Sequence, residues 1–220
     1  VNLPRLDLLV PGLFEPPDLA SEDPPSARAL ERALGRADHV ATASADPLAV
    51  LFERFGIPIE PGLDLPSAPF SRLSDAALAD PEGFWFHADP VHLRADRDRL
   101  LLFDSRPLGL ARQEADALVA LFNAHFGGEG LVLDAPVPER WYLRVAAPPR
   151  IKTQPLHAAV GRPIDSLLPK GGDAGRWNRL LNEVQMLFHQ SDVNRRRDEQ
   201  GSPMVNGIWV WGGGCLPKSA

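Results

Sequence analysis

The chain has 220 residues, 44% of them hydrophobic, with 23 Lys+Arg against 29 Asp+Glu (net charge −6), 23 prolines, 18 glycines and one cysteine. This excludes a collagen, a disulfide scaffold and a wholly disordered chain, and a chain of this length buries roughly 70% of its unfolded surface, enough for a proper core. The acidic balance, with no basic run longer than Arg195-Arg196-Arg197, argues against nucleic acid, which requires a basic face. No run reaches the roughly 18 apolar residues of a membrane span and no leader pattern opens the chain, so the expected location, with Cys215 alone, is a reducing cytoplasm without membrane contact.

In chain order, Leu6 to Val10 reads as a strand ended by Pro11-Gly12, followed by a loop rich in Pro and acid from Glu15 to Pro25. Asp23 caps a helix begun by Pro24, with Ala27, Leu30, Ala33 and Leu34 at helical spacing and Gly35 as its stop. Asp46 and Pro47 open a second helix whose apolar face is Leu48, Leu51, Phe52 and Phe55. The Pro-studded stretch Ile57 to Pro69 is the expected boundary, and a short helix follows near Ser74 to Leu78. Phe84 to His87 and Leu100 to Phe103 read as strands around a charged loop, Arg94 to Arg99. A helix carrying Leu118, Leu121, Phe122 and Phe126 ends at Gly127-Gly128, before strands at Leu131 to Leu133 and Trp141 to Val145. The order is ββαββ. A long helix capped by Asp173 runs through Trp177, Leu180, Val184 and Phe188; a short one holds Asn194 to Glu199, and Gly207 to Trp211 is a last strand before Gly212-Gly213-Gly214.

Several groups invite a chemical reading. On the long helix Asn182, Gln185, Met186 and His189 recur at helical spacing, a polar but uncharged face suited to a buried network or a polar ligand. Arginines beside the helix start at Ser191 suit an anion, or equally a solvated face. His87 and Asp89 share one face of a strand while His92 points to the other, so the three are better read as structural polar groups than as metal ligands, although a break at Pro90 could bring His92 round. The triple glycine lacks the surrounding pattern of a phosphate loop.

Phe84 to Asp104, the helix Ala111 to Phe126 and Arg140 to Val145 together resemble the inserted α+β domain of the archaeal-type cofactor-independent phosphoglycerate mutases. The stretch from Ser191 through Asn194, Arg197, Gly201-Ser202-Pro203 and Asn206 to Trp209-Val210-Trp211-Gly212 is similar to that family's Asn, downstream Arg, Gly-x-x-Pro and Trp-x-Trp-Gly. Asn182 to Met186 resembles a bacterial branch of RpfE-type regulatory proteins. The resemblance implies an α/β fold: a partial alkaline-phosphatase-like sheet domain (residues 1–70 and 205–220), in which Ile208 to Trp211 rejoins Leu6 to Val10, with an inserted α+β domain (71–204) and a cleft between them.

It also implies two metal ions, usually manganese, around a serine nucleophile. Here Pro11-Gly12 follows the first strand where the family has a metal-binding Asp before Gly. The family's later Asp and His ligands follow the Trp-Gly segment, where this sequence has only Lys218, Ser219 and Ala220 beyond Pro217. The expectation is therefore a catalytically degenerate, regulatory or binding protein with no resident cofactor, recognising a phosphorylated small acid or a protein partner. Its candidate ligand contacts are Asn194, Arg197 and Arg144, with Asn182 and His189 from the long helix. The alternative is an active mutase or phosphoesterase that uses manganese and has its site completed elsewhere.

Overall fold

A computed structural model describes residues 28–38, 46–57, 60, 62–76 and 82–217. The strand expected at Leu6 to Val10, the loop from Glu15 to Pro25 and the Asp23 cap lie outside them. The chain divides into two compact units, Val1–Pro58 and Ile59–Ala220. In the first, α1 (Arg28–Leu34) precedes α2 (Pro47–Arg54). As the sequence predicts, Asp46 caps α2, accepting the Leu48 N–H at 2.9 Å, with Pro47 at the first position where no N–H is needed.

The second unit is a mixed α/β fold built on an open antiparallel sheet. Its elements are α3 (Ser67–Asp75), β1 (Phe84–Asp96), β2 (Arg99–Phe103), α4 (Arg112–Phe126), β3 (Leu131–Val137), β4 (Arg140–Val145), α5 (Leu156–Ala159), α6 (Ala174–His189), α7 (Asp192–Glu199) and β5 (Gly207–Gly214). The order is β2-β1-β4-β3, with β5 also paired to β1. Along β1, β4 pairs with Phe84 to His87, β2 with His92 to Asp96, and β5 spans Trp85 to Val91. Ile208 to Trp211 lies against β1 on one edge, and the strand at Leu6 to Val10 that it is expected to join is outside the described residues.

Pro90 does not break β1. Pairing with β4 stops at His87 and pairing with β2 starts at His92, so β5 is the one strand paired with β1 at the proline, and its missing N–H deprives no second ladder. Likewise α3 begins inside the stretch read as extended. Pro69 is its third residue, still in the first turn, where a backbone donor would have no helical acceptor.

The two faces of the sheet differ in kind. Phe86, Ala88, Leu131, Leu133, Trp141, Leu143, Ile208 and Val210 form one, packed against Leu118, Phe122 and Phe126 of α4 and Trp177, Val184 and Phe188 of α6. This is the main core, and the 3.6 and 2 residue periodicities of those segments account for it. On the other face Trp85 and Tyr142 pack with Ala68 of α3 beside polar and charged side chains, and further along β1 Val91 joins Leu102, Trp209, Ala159, Ile164 and Leu167 in a second apolar cluster. No helix among the described residues is long and apolar enough to cross a membrane.

Candidate functional site

The polar face gathers side chains that alternation along the strands turns toward α3: Trp85, His87 and Asp89 from β1, Arg140 and Tyr142 from β4, Asp134 from β3 and Trp211 from β5. From α3, Asp75 receives both Nε and Nη2 of Arg140 at 2.7 Å and the Tyr142 hydroxyl at 2.6 Å. Arg72 lies over the Trp85 ring at 3.8 Å and donates to Asp134 at 3.1 Å. The Trp211 indole stacks on His87 with ring centroids 4.1 Å apart and donates its N–H to Asp89 at 2.7 Å.

Burial decides the charge state of the two central groups. It lowers His87 to about 4, with Asp75 opposing and Arg140 reinforcing the shift, so the imidazole is neutral at pH 7. It raises Asp89 to about 7 against the Trp211 hydrogen bond. Burial would raise Asp75 as well, but the hydrogen bonds from Arg140 and Tyr142 and the Arg140 charge hold it below the ordinary carboxylate value. Tyr142 is pushed up by burial and by its bond to Asp75. Two polar atoms in this region, His87 Nε2 and Ser67 Oγ, have no hydrogen-bond partner. Both border Gly212, whose φ of +64° favours glycine and where a Cβ would overlap Ser67 Oγ. The close approach of α3 to β5 thus requires glycine there.

The residues expected to meet a ligand occupy different places. Asn194 is fully buried; its amide donates to Phe188 O and Val205 O, each at 2.8 Å, and its Oδ1 accepts the Val205 N–H at 2.9 Å. Arg197 is 3% exposed. It donates to Pro203 O at 2.8 Å, to the Glu114 carboxylate at 2.6 Å and to Leu108 O. Glu114 in turn accepts the Ala111 N–H at 3.0 Å and so caps α4. Arg144 is exposed on β4 beside Gly83, and Asn182 and His189 are exposed on α6, so that helix face meets solvent and is not a buried network.

His92 Nδ1 donates to Met204 O at 2.8 Å, while the Asn206 amide pairs with both the N–H (2.7 Å) and the C=O (2.8 Å) of Leu93, continuing the β5 ladder with a side chain. Each residue from Pro203 to Asn206 is therefore tied by a side chain, in a pattern no local periodicity encodes. His92 is turned to Met204 and Trp211 engages both His87 and Asp89, so these three do not converge. Among the described residues no group of three or more His, Cys, Asp or Glu could hold a metal. Among the described residues the donors do not fit a manganese centre: Asp89 is engaged by the Trp211 indole and Asp75 is occupied by a guanidinium and a phenol.

No family model matches the chain. It is 30% identical over 111 residues to a 2,3-bisphosphoglycerate-independent phosphoglycerate mutase of Methanosarcina barkeri, covering 50% of this chain and 28% of that protein. It is 39% identical over 66 residues to a probable enzyme of the same description from Geobacter sulfurreducens, covering 30% and 16%. Among solved structures it is similar to the cofactor-independent phosphoglycerate mutase from Thermoplasma acidophilum, with a TM-score of 0.52 and 21% identity, over 73% of this chain and 47% of that one. The chain is thus distantly homologous to these mutases over part of its length and shares their fold.

Proposed function

We propose that this chain is a phosphoglycerate-mutase-like binding or regulatory protein of the RpfE type, degenerate as a catalyst, that recognises a phosphorylated small acid. The observation that carries the reading is the placement of Asn194 and Arg197. These residues carry the resemblance to the mutases, and here they are buried and engaged with backbone and Glu114, so what the stretch contributes is architecture. Arg144, exposed on β4, is the contact proposed for the acid's phosphate or carboxylate, which a guanidinium can grip with two parallel hydrogen bonds.

A thermal-shift titration with 2- and 3-phosphoglycerate, with and without manganese, tests this. A ligand at about 100 times its dissociation constant adds about 2.7 kcal/mol and raises the melting temperature. Stabilisation without metal that Arg144→Ala abolishes is the expected result; no shift with any phosphorylated acid overturns it and favours a protein partner. A second reading, an active manganese-dependent mutase or phosphoesterase with its site completed by residues outside those described or by another subunit, is favoured by the names of the relatives. Manganese-dependent turnover by the chain would establish it.

A further inference from the structure

Where β3 and β4 meet the first turn of α6, the structure holds a pocket of about 200 Å³. Its floor is apolar, formed by Leu131 and Val145 from the sheet and Trp177 and Leu180 from α6, all buried. Its rim is charged and of mixed sign, carrying the carboxylates of Glu129 and Asp173 and the guanidinium of Arg176. Glu129 and Arg176 stand 4.0 Å apart, with 57% and 70% of their side chains exposed. That separation is too long for a hydrogen bond, so each keeps capacity for another partner. Asp173 is held in place by the Arg150 N–H, which it accepts at 2.7 Å, leaving its other oxygen facing Arg150 Nη2 at 3.7 Å.

The pocket is smaller than the roughly 300–1,000 Å³ of drug-sized sites. With Arg150 beside Asp173 and Arg176 beside Glu129, the two carboxylates are balanced by two guanidiniums and the rim offers a multiply charged anion no excess of positive charge, so this is not a place for the phosphorylated acid proposed above, and the inference does not rest on that reading. The carboxylates suit an ammonium group, the guanidinium suits a single carboxylate, and the floor suits a hydrocarbon side chain. We propose that this pocket binds a free apolar α-amino acid, with its ammonium on Glu129 and Asp173, its carboxylate on Arg176 and its side chain on Trp177 and Leu180.

Isothermal titration of the full chain with L-leucine and L-phenylalanine, set beside N-acetyl-L-leucine and L-leucinamide, tests the assignment. Saturable binding of at least one free amino acid is expected. Binding of the blocked analogues should be weaker by about tenfold, the scale of one lost charge-assisted hydrogen bond. Glu129→Gln and Arg176→Gln, both on exposed side chains whose change leaves the core intact, should weaken the free amino acid by a similar factor. Absence of saturable binding by the wild type, or equal binding of the free and blocked compounds, would overturn the proposal.

Discussion

Replacing Asp89 by Asn removes an ionisable group from the middle of β1 and keeps an oxygen for the Trp211 indole N–H. Burial raises Asp89 from 3.8 to about 7, so between those values the folded chain holds a proton that the unfolded chain releases. Its contribution to stability is full below pH 3.8 and is lost as pH rises to about 7. From about pH 5 to about pH 8 the loss spans about two pH units at about 1.4 kcal/mol each, or about 3 kcal/mol. Asn has no such titration, and whatever its buried NH2 costs is the same at every pH. His87 runs in the opposite sense: lowered from 6.5 to about 4, it withdraws stability as pH falls through that window. The two slopes cancel in the wild type between about pH 4 and 6.5, leaving a plateau that declines above it. Urea unfolding of both proteins across this range reads the difference directly. The stability of Asp89→Asn relative to wild type should improve by about 3 kcal/mol from about pH 5 to about pH 8, and the variant should lose the acid side of the plateau. Parallel pH profiles would refute the reasoning.

Three further substitutions test the packing. Arg197→Ala should destabilise the chain by about 3–5 kcal/mol in urea unfolding without any ligand, because it strands Glu114 and two backbone carbonyls. Asn194→Ala leaves Phe188 O and both polar groups of Val205 without their partner and should cost about 3 kcal/mol, read in the same assay. Gly213→Ala would drive a Cβ into the Phe86 ring, itself packed on Trp177 at 5.1 Å, and should cost about 1–3 kcal/mol, seen as a lowered melting temperature.

The elements with a strong apolar period are legible in the sequence: α4, α6, β3 and β4 stand close to where Leu118 to Phe126, Trp177 to Phe188, Leu131 to Leu133 and Trp141 to Val145 put them. Helix α3 is not, for a physical reason. Its buried residues are Ser67, Ala68, Pro69 and Arg72, which make no apolar stripe, and it is held by ion pairs to strands far along the chain. Asp75 and Arg140 are 65 positions apart, and Asp89 and Trp211 are 122 apart. Alternation alone identified His87 and Asp89 as neighbours on one face. Nothing local identified the indole that engages both or the helix that covers them. The Asn194 and Arg197 stretch was visible as a pattern, but whether an amide and a guanidinium face a ligand or a backbone depends on burial, which pattern does not carry.

The tied segment and the polar face belong to one mechanical argument. Side chains repeat every second residue along a strand, so a slip of β5 by one position would turn Trp211 to the opposite face and remove both the stacking partner of His87 and the donor to Asp89. Register is set where β5 begins, by Arg197, His92, Asn194 and Asn206 acting on Pro203 to Asn206 in succession. Asn206 carries the clearest test because its amide stands in for a strand residue against Leu93. Asn206→Ala keeps the core intact and should cost about 1–3 kcal/mol for the two backbone groups left unpaired. If the ties set register, hydrogen exchange at the Trp211 indole N–H should quicken together with the β5 amides, although the substitution lies five residues away. Faster exchange confined to Leu93 and its neighbours, with the Trp211 indole unchanged, would show that β5 holds its register through the sheet alone.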